Sequence, residues 1–383
     1  MAQGRGAEAQ SNPVLQGGNM PVAEVDTFAG IDVSAHELSV ALRRGQGHDK
    51  PAMAKFPNHA SGHKALVAYL LRGGRRARVC LEASGNYSLD LALTLQAHRQ
   101  VEISVIHPRR ARRFAESLGE RSKTDPVDAR VLCEYAARMP WVRWQPPSPV
   151  ALHLRALTRA IADLGVIHTQ QNNRAYAAAA SQALPVLVVK EMQRHKKYLE
   201  QRMTRLRREA VRLIACDPEL DRRFRLMLTT TGIAETSALQ ILGELAVLPD
   251  LLDARQWVAF SGLDPRLFKS GKSVEKRPRI SRGGSRHLRP ALSMPALVAL
   301  RRDPYLRRFY QNLLARGKAR LQAVVAVMRK LLHAQFAMFR TNQPYDGSKL
   351  CCAIDMAGNA IAVCLTDPKK REVLLHLSRE KTN

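Results

Sequence analysis

The sequence predicts an α/β N-terminal domain, a helical coiled-coil middle and a mostly α C-terminal domain containing a helix-hairpin-helix-like element. Three observations carry this expectation. Apolar residues alternate from Thr27 to Leu42 and are followed by alternating helix and strand patterns as far as Tyr135. The stretch Trp141-Val-Arg-Trp-Gln-Pro-Pro-Ser-Pro149 then breaks the pattern. Beyond it apolar residues recur every seven positions, a helical period.

Taken in order, Phe28, Ile31 and Val33, then Leu38, Val40 and Leu42, read as two strands joined by a tight turn near Ala35 and His36. Lys64 to Leu71 reads as a short amphipathic helix, and Arg78 to Leu81 as a buried strand ending at Glu82. Leu89 to Ala97 is a helix, Val101 to Ile106 a strand, and Arg109 to Leu118 a basic helix. The next helix opens at Asp125-Pro126, with Asp expected at the cap and Pro in the first turn, and runs through Val131, Leu132 and Tyr135. Strands first, then helix and strand in alternation, make an α/β layer. From Val150 to Cys216 Met192, Leu199, Leu206 and Leu213 recur every seven residues, with Met203 and Ala210 between them and arginines at 202, 205, 207, 208 and 212. This is either a helix packed inside its own chain or one that self-associates or pairs antiparallel. Thr229-Thr-Thr-Gly-Ile-Ala-Glu235 resembles half of a helix-hairpin-helix, in which glycine lets backbone amides approach a phosphate. The expected divisions are a disordered tail over 1–24, the α/β domain over 25–145, the helical region over 150–222, the C-terminal domain over 223–345 and a tail of unassigned role over 346–383.

Composition narrows the function. Lys+Arg number 61 against 33 Asp+Glu in 383 residues, a formal charge of +28. A chain this basic is built to meet a polyanion. Aromatic residues are only 5%, which argues against a platform that binds single strands by stacking. Six cysteines show no CxxC pair and no zinc spacing with histidine, as in reduced thiols of a cytosolic protein. No segment reaches the roughly 20 apolar residues of a membrane helix, and the N-terminal residues lack the apolar core of a signal peptide. The expected location is the cytoplasm.

Against this basic background a few carboxylates stand at apolar strand ends. Asp32 closes a strand in Phe28-Ala-Gly-Ile-Asp-Val-Ser34, and Glu82 closes another in Val79-Cys-Leu-Glu-Ala-Ser-Gly-Asn-Tyr87. Asp125 and Asp128, in Ser122-Lys-Thr-Asp-Pro-Val-Asp-Ala-Arg130, are three residues apart on one helix and so share a face. Each alone has an ordinary explanation: a turn residue, a helix cap, a solvated helix face. Together, in this order, they match an RNase H-like nuclease, whose carboxylates converge on one or two Mg²⁺ or Mn²⁺ for phosphodiester chemistry.

The blocks Gly30-Ile-Asp-Val-Ser34, Cys80-Leu-Glu-Ala-Ser-Gly-Asn-Tyr87, Lys123-Thr-Asp-Pro-Val-Asp-Ala-Arg130 and Phe260-Ser-Gly-Leu-Asp-Pro265 resemble those of the DEDD-type transposases of bacterial insertion sequences. These are the bridge-RNA-guided recombinases related to Piv-like DNA invertases. The resemblance spans Thr27 to Tyr345; the N-terminal extension and the last residues depart from it. It implies a RuvC-like domain, a coiled-coil middle and a C-terminal transposase domain, with Asp32, Glu82, Asp125 and Asp128 as a metal-binding tetrad. It also implies a bridge RNA that pairs with donor and target DNA, and homo-oligomers that are tetrameric in the synaptic complex.

Within Arg266-Leu-Phe-Lys-Ser-Gly-Lys-Ser-Val274 the fragment Gly-Lys-Ser is not a P-loop, because Arg266 occupies the position of the required earlier glycine. From the residues alone this is a polar loop whose lysines hold phosphates. The resemblance implies instead that Ser270 is the nucleophile, in a composite site where serine and tetrad of different protomers meet. Ser261, Ser273, Ser281 and Ser285 compete with it, and Ser281-Arg-Gly-Gly-Ser-Arg-His287 reads as a backbone-binding loop. Phosphate contacts are expected from Arg109, Arg110, Arg112 and Arg113 beside the tetrad, and from Lys123, Lys269, Lys272, Arg282 and Arg286. His107 and His287 receive no role. The resulting expectation is a transposase that cleaves and rejoins DNA strands under RNA guidance. The alternatives are a non-catalytic DNA- or RNA-binding protein on the same scaffold and a plain metal-dependent nuclease.

Overall fold

The computed structural model describes residues 25–45, 50–120, 122, 124–180, 184–270, 274–281, 283–350, 352–354 and 360–362; the side chains of 267–270, 274–278, 352–354 and 360–362 are outside the described set. The chain forms two compact units that divide between Pro146 and Pro147.

The first unit contains β1 (Thr27–Val33), β2 (Glu37–Arg44), β3 (Ala52–Pro57), α1 (Ala60–Leu70), β4 (Ala77–Glu82), α2 (Leu89–Gln96), β5 (Val101–Ile106), α3 (Pro108–Ser117) and α4 (Asp125–Arg138). The sheet order is β3-β2-β1-β4-β5. β1, β2 and β3 pair antiparallel, whereas β4 and β5 join parallel to β1. Antiparallel strands followed by parallel ones fit the RNase H-like order that the carboxylates predict. The turn between β1 and β2 is closed by Ser34, whose hydroxyl accepts from the Glu37 N–H at 3.0 Å. The strand β3 was missed: its residues are mostly exposed, so it lacks the apolar alternation that marks the others.

Strand parity sorts the side chains. Ala29, Ile31, Val33, Val79 and Leu81 join α1 and α2 in one core. Phe28 and Cys80 join Ala129, Leu132, Cys133 and Tyr135 of α4 in another. Gly30 lies on that second face. A Cβ there would stand 2.2 Å from the Ala129 carbonyl oxygen and 2.1 Å from the Cys133 nitrogen, so α4 rests on bare strand backbone. The Cys133 thiol donates to the Phe28 carbonyl at 3.3 Å. α4 therefore runs antiparallel to β1, and its first turn lies toward the end of β1 that carries Asp32.

The second unit contains α5 (Pro149–Ala179), α6 (Val186–Ala215), α7 (Pro218–Leu228), α8 (Glu235–Leu245), α9 (Ala254–Ser261), β6 (Pro265–Ser270), β7 (Val274–Ile280), α10 (Leu288–Arg302), α11 (Pro304–Ala315), α12 (Arg320–Thr341), β8 (Cys352–Ile354) and β9 (Ala360–Ala362). α5 and α6 lie against each other. His168 meets Glu200 at 3.0 Å, Gln171 reaches the Met192 carbonyl, and Leu164 packs with Leu199 and Met203. These pairings run antiparallel, so part of the seven-residue seam is buried inside its own chain. Leu154, Ala210 and Ile214 at the other ends of the two helices share one core with α7 through α12.

Gly232 turns the chain between α7 and α8 with φ +95°, a conformation that needs glycine. A Cβ there would stand 2.5 Å from the Pro295 carbonyl oxygen of α10. The glycine thus serves a close approach of helices, a use the helix-hairpin-helix reading did not include.

Candidate active site

The register of β1 and β4 pairs Ile31 with Leu81, which makes Asp32 and Glu82 the next residues of adjacent parallel strands. Both have the parity of Gly30 and Cys80, and so belong to the face that α4 covers. α4 brings Asp125 and Asp128 in its first turn. The capping residue is Thr124, in extended conformation, so Asp125 is the first helical residue and not the cap expected from sequence. Two acids in a first turn also suit the positive end of the helix dipole.

Electrostatics ties the four together. The pKa of Asp32 is raised from 3.8 to about 6, first by burial, then by the charges of Asp125, Asp128 and Glu82, against a backbone hydrogen bond at Val33. A half-buried carboxyl surrounded by like charges is the pattern of a site made to share positive charge. The four are nonetheless not in ligating contact: among the described residues no three His, Cys, Asp or Glu side chains stand as an assembled metal set. Mutual repulsion of four carboxylates opposes such closeness. As a donor set, four oxygen ligands from three elements fit a hard divalent cation such as Mg²⁺ or Mn²⁺.

The basic helix α3 begins at the end of β5. His107 caps it, its Nδ1 accepting from the Arg109 N–H at 3.1 Å. That gives His107 the local role the sequence left blank. Arg109, Arg110, Arg112 and Arg113 are all exposed. Arg112 pairs with Glu116 at 3.1 Å, and Arg110 lies over the Tyr135 ring at 5.4 Å. α3 and α4 are in contact, and Ala111 joins Ala129, Leu132 and Tyr135 in one core, so both helices cover the same face of the sheet.

A family model for DEDD-type IS110 transposases matches residues 29–185, and a second, described as a transposase of the IS116/IS110/IS902 family, matches residues 224–311. The chain belongs to the IS110 transposase family. It is a DNA transposase/recombinase. It is 29% identical over 324 residues to the pilin gene-inverting protein of Moraxella bovis, covering 84% of this chain and 98% of that protein. The homologous inverting protein of Moraxella lacunata gives the same figures. An uncharacterized 43.6 kDa protein of the insertion element IS110 from Streptomyces coelicolor is 32% identical over 106 residues, 27% of this chain and 25% of that one.

In the second unit of this transposase, β6 and β7 form a hairpin in which Ser270 pairs with Val274 next to the turn. The side chains of Lys269 and Ser270 lie outside the described residues, as do Lys123, Lys272, Ser273 and Arg282 altogether. Three of the competing serines have other occupations. Ser261 is fully buried and donates to the Val258 carbonyl at 2.6 Å. Ser281 bonds Asp264 through both side chain and backbone, which clasps the foot of the hairpin. Ser285 donates to Glu244 at 2.8 Å while accepting from the Leu288 N–H at 3.1 Å.

Sequence reasoning missed Glu244. It is 1% exposed, and Arg159 of α5 holds both its oxygens at 2.6 and 3.0 Å. Burial opposes its ionisation, but Arg159, Ser285 and His287 together hold its pKa below the ordinary value. The loop expected to bind DNA backbone is thereby anchored from beneath, with Arg286 exposed beside it. His287 shares this network, and burial and the Arg159 charge lower its pKa. A lone Glu on an apolar helix carried no signal of this role, because its partner lies 85 residues away. Among the described residues no helix is long and apolar enough to cross a membrane.

Proposed function

We propose that this transposase cleaves and rejoins DNA at a divalent-metal site made by Asp32, Glu82, Asp125 and Asp128, with Ser270 as nucleophile and a guide RNA choosing the strands. The observation that carries the reading is Asp32, whose carboxyl is raised to about 6 by burial and by the other three acids. A bound Mg²⁺ or Mn²⁺ would supply stabilisation for the charge that develops on the phosphoryl oxygens. The four carboxylates would hold that cation, with Asp32 in its ionised form. The arginines of α3 bind and orient the flanking phosphates.

Ser270 Oγ attacks phosphorus and loses its proton to a neighbouring base, while the strand's ester oxygen leaves and takes up a proton. The strand stays joined to Ser270 through a phosphodiester. A hydroxyl of the incoming strand then attacks the same phosphorus and releases the serine, so the number of ester bonds is conserved. Ser261, Ser281 and Ser285 are engaged in structural hydrogen bonds, which supports Ser270 as the reacting residue. A serine hydroxyl needs activation, so the reading requires Ser270 to meet the carboxylates, within a chain or between protomers of a dimer or of a tetrameric synapse. The excess of basic residues supports DNA and structured RNA as partners, and the bacterial nucleoid as the place of action.

The test is strand exchange with adduct trapping. Asp128→Asn should still bind DNA but lose strand exchange, as should wild type in EDTA. Ser270→Ala should form no covalent protein–DNA adduct on a nicked substrate in denaturing electrophoresis. Full recombination by Asp128→Asn, or an adduct that persists in Ser270→Ala, would overturn the assignment of that residue. Recombination without any adduct would mean direct hydrolytic chemistry.

A further inference from the structure

Asn58 follows β3 directly and joins three segments at the end of the sheet where Asp32 and Glu82 stand. Its backbone N–H donates to the His36 carbonyl at 2.8 Å. Its side-chain nitrogen donates to the Ser34 carbonyl at 2.7 Å and to the Tyr87 carbonyl at 3.1 Å. Its Oδ1 stands 2.8 Å from Nε2 of His63. With the amide nitrogen committed to two carbonyls, the oxygen faces His63, and the shared proton must sit on Nε2. His63 is 4% exposed on the first turn of α1. That turn can approach because residue 62 is glycine: a Cβ there would stand 2.0 Å from the Pro57 carbonyl oxygen.

The two carbonyls that Asn58 holds belong to the segments leaving two of the four carboxylates. Ser34 lies two residues after Asp32, and Tyr87 lies five after Glu82. Within the described hydrogen bonds, Asn58 is a tie between the β1–β2 turn and the loop after β4. An amide with one lone rotamer choice and a buried imidazole against it cannot flip without losing these bonds.

We propose that Asn58, locked by His63, is a positioning residue that fixes the separation of Asp32 and Glu82 for a divalent cation. This rests on the four-carboxylate reading above. Residues that orient ligands without touching the ion commonly change metal affinity 10- to 100-fold, and an effect of about 10-fold is expected here.

The experiment is Mn²⁺ binding to the full-length chain by calorimetry, with DNA binding in EDTA and thermal melting as controls. Asn58→Ala should weaken Mn²⁺ about 10-fold and leave DNA affinity in EDTA unchanged. His63→Leu keeps Asn58 but frees its amide, so it should weaken Mn²⁺ similarly; it also serves if Asn58→Ala does not fold. His63→Gln, whose amide can still donate to Asn58, should bind Mn²⁺ nearly as wild type does. Mn²⁺ affinity unchanged in both Asn58→Ala and His63→Leu, even with a lower melting temperature, would reduce Asn58 to a structural tie and overturn the proposal while sparing the metal site. A wild-type chain that binds no Mn²⁺ overturns the four-carboxylate reading, and this proposal with it.

Discussion

At Asp32, burial and three neighbouring carboxylates act in the same direction, and the folded chain binds a proton there more tightly than the unfolded chain does. A raised folded pKa contributes stability below the unfolded value of 3.8 and loses it as pH rises through about 6. Asp32→Asn should therefore stabilise the metal-free protein at pH 8 by about 1 kcal/mol, after the screening due to a half-exposed site, or a few degrees in melting temperature. Near pH 4 the two proteins should melt together. A variant that melts below wild type at pH 8 would contradict the repulsion. The same titration should make Mg²⁺ binding weaken as pH falls below about 6, since the cation competes with the proton. Glu244 has the opposite sign. Its folded pKa is lowered, so its contribution is present above the ordinary value of 4.5 and is lost as pH falls through the folded one. Glu244→Ala leaves the Arg159 guanidinium and the Ser285 hydroxyl without their acceptor. It should destabilise the second unit by about 2–3 kcal/mol at pH 7, measured by chemical denaturation.

At the scale of the element, the contact of α4 with β1 sets where two of the four acids lie. Gly30 makes it possible, because the Ala129 carbonyl and the Cys133 N–H occupy the space a Cβ would take. Both obstacles are backbone, which cannot rotate away as a side chain can. Gly30→Ala should lift α4 from the strand and cost about 3 kcal/mol, at the upper end of overpacking effects. Melting should show the loss, and limited proteolysis should cut within α4 first. The variant should also lose Mn²⁺ affinity, because Asp125 and Asp128 ride on that helix. A Gly30→Ala chain with native melting and metal binding would mean that α4 docks elsewhere.

At the scale of the whole molecule, the charge of +28 is the dominant property. Each phosphate a lysine or arginine neutralises releases counterions, so affinity for nucleic acid should fall steeply with salt. With roughly 6–10 phosphate contacts, the loss between 50 and 200 mM salt is about 10³- to 10⁵-fold. Filter binding should show this slope, and a structured RNA from the element should compete better than random duplex of equal length. Removing Arg109 and Arg113 together should lower the slope by about 2 without changing preference among DNA sequences. A flat salt response would contradict phosphate-led binding.

Elements whose side chains repeat are legible in the sequence. Alternation from Phe28 to Leu42 gives the first hairpin, the run Val101–Ile106 gives β5, and the spacing of Asp125 and Asp128 puts both on one helix face. Periodicity reports burial on one side of an element, and these elements are buried on at least one side. Features that depend on a distant partner emerge only on folding. β3 is an edge strand with mostly exposed residues, so no apolar pattern announces it or the Asn58 that follows. The seam at Leu199, Met203 and Ala210 is the same on the page whatever covers it, and the contact of Leu164 shows that α5 covers Leu199 and Met203. Glycine is a turn residue in any sequence, yet Gly30 and Gly232 are set by backbone from α4 and α10 that packs against them. Asp32 and Glu82 are 50 residues apart in the chain and become neighbours through the parallel register of β1 and β4. Their repulsion, and hence the raised pKa of Asp32, exists only once burial and that register place like charges together in a medium that screens them poorly.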